Sequence, residues 1–367
     1  MSSPLRVVVD ARPLVGHRTG IGVHTAEIAA RLPFDPPPLL AAHAPIDDRT
    51  GIERLPVRVD RGVTGGTWQQ LTLPRVLAAE KADVLWGPHG TLPLRGATPA
   101  VATLHDLTSI TAPFGHELRT VVSFNALIAP SLRRAAEIAA VSKRTAEEVS
   151  RGFGIPLGRI EIVPNGVGDA FGPQAGDASL LPPGVAPREY VLYVGTLEPR
   201  KGIADLVDAW EGLAPRPRLV LCGDPGWGLA RLRGRIESHA RRGEIVVTGF
   251  VERRVLASLY RFAKLFVYPS RQEGFGIPPL EAMACGAPVV ATRAGAIEEV
   301  AGDAALLVAP GDRAALAGAI RGLLADAPLR AELAGRGIAR AARYSWRRSA
   351  AIMAELLIRA AAGPRYS

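Results

Sequence analysis

The sequence predicts an α/β protein made of two doubly wound parallel sheets in tandem, on three observations. Its 367 residues exceed one ordinary core at about 150 residues per domain. Short β-rich apolar runs alternate with amphipathic segments from end to end, the pattern of parallel strands covered by helices on both faces. The alternation breaks once, in GPQAGDASLLPPGVAPR from Gly172 to Arg188, which is rich in Pro, Gly and Ala and lacks a hydrophobic period, as a linker would. The expected domains are therefore residues 1–172 and 189–345 around a linker at 173–188, with a last helix in 346–367.

Each element has its own justification. LRVVVDA reads as a buried strand, a glycine-containing loop with Gly20 and Gly22 follows, and Val23 to Leu32 carries apolar residues at helical spacing. ADVLWGP, PAVATLHD, EIAAVS and IEIVPNGV are further strands of the first half. After the break come YVLYVGT, a helix from about Ile203 to Leu213, and the strands RLVLCGD, IVVTGF, LFVYPS, PVVATR and ALLVA. Trp346 to Ala362 is an apolar-periodic helix whose destination local sequence does not fix. No strong internal repeat links the halves, so their similarity is one of layout.

Composition narrows the function classes. With 48% hydrophobic and 22% charged residues the chain should fold. Val7 to Val9 is too short for the apolar core of a leader, and the longest apolar stretch, Val121 to Val141, is broken by Pro130, Arg133 and Arg134. The only cysteines, Cys222 and Cys285, exclude a disulfide framework or a cysteine zinc site and fit a reducing cytoplasm. The net charge of +9 is concentrated in the second half: residues 1–172 hold 18 basic and 16 acidic residues, and the remainder 26 and 19. That balance suits an anionic ligand. The arginines are dispersed and few aromatics are interleaved, which argues against nucleic acid.

The most informative stretch is LFVYPSRQEGFGIPPLEAMACGAPVVAT, Leu265 to Thr292. A strand ends at Pro269, a loop carries Glu273, Gly274 and Gly276, and Pro278 or Pro279 suits the first turn of a helix that Gly286 stops. A loop meeting a helix N-terminus at a strand's carboxyl end is where open parallel sheets bind anionic ligands. The two glycines allow close approach of a phosphate or sugar. Glu273 and Glu281 can each accept two hydroxyl hydrogen bonds.

Glu273, seven intervening residues and Glu281, inside EGFGIPPLEAMACGAPVVAT, closely resemble the donor-site signature of retaining glycosyltransferases of family 4. DARPLVGHRTGIGVHTAEIAARL, WQQLTLPRVLAAEKADVLWGP, HDL, AVSKRTAEEV, VPNGV and GTLEPRKG occur in that family's order, so the resemblance spans nearly the whole chain. GTLEPRK and RTGIG are similar to a subgroup rich in bacterial polysaccharide mannosyltransferases. The resemblance implies the GT-B fold, two Rossmann-like domains facing across a cleft. The implied activity is transfer of a hexose from a nucleoside diphosphate sugar to an acceptor hydroxyl on a glycan, lipid-linked sugar or small glycoside. Mannose from GDP-mannose is the expected donor, with a UDP-sugar as the other candidate.

Roles follow from the same resemblance. Arg200 and Lys201 match the basic pair on the diphosphate, and Thr196 stands where some members place a further arginine. Gly20 and Gly22 match a loop over the donor phosphates, and His105, at the end of a strand, a histidine facing the donor sugar. Gly223 and Val251 match backbone positions lining the base pocket. Glu281 is assigned to ribose, Glu273 to the transferred sugar, and the N–H groups of Phe275, Gly276 and Ile277 to further sugar and phosphate contacts. No cofactor is expected, and with no Asp-x-Asp in the chain no metal ligand is expected either. Peripheral membrane contact through Arg119, Arg133 and Arg134 stays open, as does the oligomeric state. The competing classes are an epimerase or phosphorylase on the same fold, a nicotinamide oxidoreductase, disfavoured because GHRTGIG lacks the dinucleotide spacing, and a non-catalytic sugar-nucleotide binder.

Overall fold

The computed structural model describes residues 4–107, 118–174, 176–214, 216–226, 229–237, 239 and 241–363. The chain divides into two compact units, Met1–Gly166 with Ser345–Ser367, and Val167–Tyr344. Residues 173–188 thus fall in the second unit, where the Arg261 guanidinium donates to the Gly172 and Ala170 carbonyls at 3.0 and 2.8 Å.

The first unit holds seven parallel strands: β1 (Val7–Asp10), β2 (Leu39–Ala42), β3 (Val57–Val59), β4 (Val84–Gly87), β5 (Ala100–Leu104), β6 (Glu137–Ala140) and β7 (Ile160–Ile162). Their spatial order is β3-β2-β1-β4-β5-β6-β7. Strands β1, β4 and β5 are buried along their whole length, as the centre of a sheet covered on both faces requires. Strands β2 and β3 add two elements to those expected; LLAA and VRV are too short for their pattern to stand out. The helices are α1 (Gly20–Ala29), α2 (Gly65–Leu71), α3 (Leu73–Ala79), α4 (Leu118–Arg134) and α5 (Lys143–Phe153). Helix α1 starts three residues earlier than expected: Thr19, still extended, is its N-cap, and Gly20 to Gly22 form the first turn rather than a free loop. Gly22 is required there, because a Cβ would lie 2.5 Å from the Pro13 carbonyl oxygen.

The C-terminal helix, which becomes α13 in chain order (Trp346–Ala361), packs on α1, β4, β5 and β6. Ser349 fastens it by donating to the Pro164 carbonyl at 2.6 Å. Among the described residues no helix is long and apolar enough to cross a membrane. Arg134 holds the Gly96 and Thr98 carbonyls at 3.1 and 3.0 Å, whereas the side chain of Arg119 lies outside the described residues.

A buried histidine gives this unit a pH dependence. His24, fully buried on α1, hydrogen-bonds through Nδ1 to Asn165 Oδ1 at 2.8 Å and packs among Trp86, His105 and Trp346. Because an amide oxygen only accepts, Nδ1 carries the proton and Nε2 the lone pair. Burial lowers the His24 pKa to about 4, against the opposing hydrogen bond to Asn165. The unfolded chain therefore binds more protons between about pH 6.5 and 4, and stability is lost as pH falls through that window. The expected loss is about 3 kcal/mol, at about 1.4 kcal/mol per pH unit. Urea denaturation at stepped pH checks it: His24→Phe should flatten the slope, and an unchanged slope would reject this origin.

The second unit holds six parallel strands: β8 (Tyr190–Val194), β9 (Arg218–Cys222), β10 (Ile245–Gly249), β11 (Leu265–Tyr268), β12 (Val289–Thr292) and β13 (Ala305–Val308). Its helices are α6 (Ile203–Glu211), α7 (Leu229–Glu237), α8 (Arg253–Phe262), α9 (Ile277–Ala284), α10 (Ile297–Ala301), α11 (Arg313–Ala325) and α12 (Ala327–Ala341). The spatial order is β10-β9-β8-β11-β12-β13. The chain winds outward from β8 in one direction and from β11 in the other, so the topological switch lies between these two neighbours. In open parallel sheets, ligand crevices lie beyond the carboxyl ends of the strands at such a switch.

Candidate active site

Two loops leave that switch point in the second unit. After β8 the chain reaches a single 3-10 turn, Pro199–Lys201, stopped by Gly202 at φ 67°. After β11 it passes Pro269 and Ser270 to Glu273 and enters α9 through Gly276 at φ 94°. The loops are tied together by the Arg271 N–H, which donates to the Arg200 carbonyl at 2.9 Å.

Adjacency of β8 and β11 brings Lys201 and Glu273 together from 72 residues apart. Lys201 Nζ donates to Glu273 Oε1 at 2.6 Å and to the Tyr268 hydroxyl at 3.1 Å. Tyr268 donates to the same Oε1 at 2.9 Å and Ser270 Oγ at 2.5 Å, so one carboxylate oxygen receives three donors. Arg200 Nη1 stands 4.0 Å from it, while Nη2 pairs with Glu198 at 2.7 Å. Glu273 and Lys201 are both buried. Burial works to raise the Glu273 pKa, yet the charges of Lys201 and Arg200 with the hydrogen bonds from Lys201 and Ser270 outweigh it and hold the carboxyl below its usual range. Burial lowers the Lys201 pKa, opposed by Glu273. At neutral pH the result is an ionised carboxylate fixed in one orientation by protein donors, beside cations in a shielded site where charge interactions are strong.

The remaining residues of the segment surround this pair. Gly276 is the N-cap of α9, and a Cβ on it would overlap Ile297 Cδ1. Pro278 and Pro279 carry no N–H, so Phe275, Gly276 and Ile277 provide the amides where the loop enters the helix. Phe275 is buried edge-on against Tyr344, 5.7 Å between ring centres. Glu281 is buried on α9, and its Oε2 accepts from the Tyr260 hydroxyl at 3.1 Å, a partner distinct from the Lys201 cluster. Gly223 follows β9 at φ 145°, where a Cβ would overlap the Gly195 carbonyl oxygen, and Val251 follows β10 half-buried.

His105, Gly20 and Gly22 belong to the first unit. His105 follows β5, and its Nε2 lies 2.9 Å from the Pro88 carbonyl oxygen, an acceptor only, so Nε2 carries the proton and Nδ1 the lone pair. Burial, with His24 and His89 nearby, holds its pKa well below the usual value. It is a neutral hydrogen-bonding group at physiological pH. Burial also pushes the Cys222 and Cys285 thiols up to about 11 and about 12, so neither is a nucleophile at neutral pH. Among the described residues no group of three His, Cys, Asp or Glu could hold a metal ion.

Sequence reasoning missed Tyr268, Ser270 and Gly295. Tyr268 reads as the last apolar residue of a strand, Ser270 as loop, and neither type signals chemistry. The one available signal is their spacing of five and three residues before Glu273. Tyr268→Phe removes the hydroxyl that bridges Lys201 and Glu273 without changing the ring. We expect a melting temperature within about 3 °C of wild type, since the net worth of one hydrogen bond is about 1 kcal/mol, and a turnover lowered about tenfold. Steady-state kinetics beside a thermal melt reads both, and unchanged turnover would remove Tyr268 from the site.

Known proteins share the fold that holds this site. Residues 19–171 match the model described as Glycosyltransferase Family 4, and residues 184–340 the model described as Glycosyl transferases group 1. The chain is 37% identical over 274 residues to the O-antigen chain mannosyltransferase B of Escherichia coli, covering 72% of this chain and 71% of that protein. It is 32% identical over 227 residues to the serotype-specific mannosyltransferase WbdA of Escherichia coli, 59% of this chain but 28% of that longer one. In fold it is similar to Anabaena HepE in complex with UDP and glucose, with a TM-score of 0.75 and 24% identity over 97% of this chain and 99% of that one. It is likewise similar to the sucrose-phosphate synthase of Thermosynechococcus elongatus, with a TM-score of 0.77 and 21% identity over 96% and 98% of the two chains. Two doubly wound parallel sheets, family models over both halves and a relative of 37% identity lead to one conclusion: the chain belongs to the group 1, family 4 glycosyltransferases of GT-B fold.

Proposed function

We propose that the protein is a retaining, metal-independent hexosyltransferase that moves mannose from GDP-mannose to a hydroxyl of a glycan, lipid-linked sugar or small glycoside. The observation that carries this reading is the buried Lys201–Glu273 pair, 2.6 Å apart, with Arg200 beside it at the switch point of the second sheet. Arg200 and Lys201 supply positive charge for a departing diphosphate, together with the amides of Phe275, Gly276 and Ile277. Glu273, held by donors on Oε1, accepts hydrogen bonds from hydroxyls of the transferred sugar. Glu281 accepts from ribose, and Gly223 and Val251 line the base with backbone groups. The lone pair on His105 Nδ1 accepts from a substrate hydroxyl. Gly20 and Gly22, in the tightly packed first turn of α1, present backbone to the donor phosphates.

In the proposed step the anomeric C–O bond breaks and its electron pair goes to the diphosphate. The acceptor oxygen bonds the anomeric carbon on the same face, and its proton passes to the departing phosphate oxygen. No protein nucleophile is needed. The names of the mannosyltransferase relatives support mannose, whereas HepE was solved with UDP and glucose; UDP-sugars therefore enter the test as competitors. A lipid-linked acceptor would bring the protein to a membrane surface from the cytoplasm.

The test is product analysis in excess EDTA, with GDP-mannose or UDP-glucose and a mannose-terminated acceptor. We expect release of GDP that depends on acceptor, and an α-linked product by NMR. A β-linked product would reject retention, activity only after adding magnesium would reject metal independence, and turnover with UDP-glucose alone would reject the donor.

A further inference from the structure

The second unit carries a cavity of about 440 Å³ at the amino-terminal ends of its strands, opposite to the loops that leave their carboxyl ends. Five cations line it among the described residues: Arg188 just before β8, Arg216 and Arg218 at the start of β9, Lys264 just before β11, and Arg321 on α11. Glu189 is the one acidic residue among the described lining residues. Converging like charges repel one another unless an anion enters among them, so a concave cluster whose lining residues carry a four-charge excess, three once Glu244 beside Arg216 is counted, is a site for a polyanion.

The cluster is also partly prearranged. The Arg216 guanidinium lies over the Trp210 ring, 5.0 Å from its centre, and its side chain is only 11% exposed. Its Nε and Nη1 are buried without a hydrogen-bond partner among the described residues, and the nearest carboxylate, Glu244, is 3.7 Å from Nε. Arg188 is anchored by donating to the Ala263 carbonyl at 2.9 Å. Leu213, Pro217 and Leu324 add an apolar wall, so the cavity combines a charged side with a surface for a small carbon skeleton.

We infer that this cavity is a second anion site, which takes a free organic phosphate or pyrophosphate carrying at least two negative charges. Guanidinium groups pair bidentately with phosphoryl oxygens, and several cations converging on one cavity favour an anion of more than one charge.

The experiment is amide hydrogen exchange and calorimetry on the full chain at low salt, with inorganic pyrophosphate as probe. Protection is expected at 216–218 and 320–325 in the wild type. The double variant Lys264→Glu with Arg321→Glu, which reverses two charges, should lose at least tenfold in affinity and lose that protection, while any protection at 273–281 persists. Arg321→Gln, a milder change, should weaken binding by a smaller factor and guards against misfolding of the double variant. Protection confined to 273–281, or equal affinity of wild type and both variants, would overturn the inference. Binding to phosphatidic acid vesicles with no response to pyrophosphate would overturn the assignment to a free phosphate.

Discussion

Glu273→Ala should lower turnover by about 10²- to 10³-fold, the usual effect of deleting one preorganised polar group at a transition state. The carboxylate has no slack: three donors fix Oε1, at 2.5, 2.6 and 2.9 Å. Its removal also strands Lys201, a buried cation with Arg200 close by. Deleting one member of a buried pair costs about 3–5 kcal/mol, so the variant should melt lower as well. Glu273→Gln separates the two effects, because the amide keeps the side chain's size and an oxygen acceptor while losing the charge. Turnover should fall by a similar factor in both variants, with the glutamine form the more stable. Burst and steady-state kinetics, with circular dichroism to confirm folding, read the result. Normal turnover in either folded variant would detach Glu273 from the chemistry.

Gly295→Ala should be nearly as damaging although residue 295 bears no functional group. Its φ is 60°, and a Cβ there would overlap the Glu273 carbonyl oxygen. That oxygen accepts from the Ala296 N–H at 3.0 Å, so the turn between β12 and α10 is the floor on which the Glu273 loop rests. The left-handed conformation alone costs alanine about 1–2 kcal/mol, and relief of the overlap must displace Glu273. A misplacement of about 1 Å can cost about 10²-fold in rate. The expected outcome is a melting point lower by several degrees and turnover reduced about 100-fold. Gly318→Ala is the matched control: it lies within α11, where an added Cβ would meet nothing within 4 Å, so it should be neutral or slightly stabilising. Equal behaviour of the two alanine variants would contradict the supporting role of Gly295.

The legible parts of the fold are those whose signals are local. The run LFVYPS, the prolines at 278 and 279 and Gly286 mark a strand, a helix start and a helix stop, and β11 and α9 stand at those places. VVVD and YVLYV read as central strands because they are apolar nearly throughout, and both are buried along their whole length. By contrast, LLAA and VRV are strands only because a neighbour pairs with them, β1 with β2 and β2 with β3. Thr19 is a favoured residue type for an N-cap, but the two glycines in the turn after it run against helix propensity, and packing against Pro13 overrides it. Lys201, Tyr268, Ser270 and Glu273 meet because β8 neighbours β11, a fact of sheet order rather than of spacing. No short window along the chain reveals that the turn at Gly295 touches the loop at Glu273, so its steric role emerges only in the fold.

The Lys201–Glu273 site is expected to bind an activated sugar through its diphosphate. Calorimetric titration of wild type and Lys201→Ala with GDP, GDP-mannose, UDP and UDP-glucose measures this. Wild type is expected to bind GDP-mannose at the Lys201–Glu273 site, and Lys201→Ala, verified as folded, to bind it there at least tenfold more weakly. Equal affinity of the two proteins for every nucleotide in the panel would contradict it.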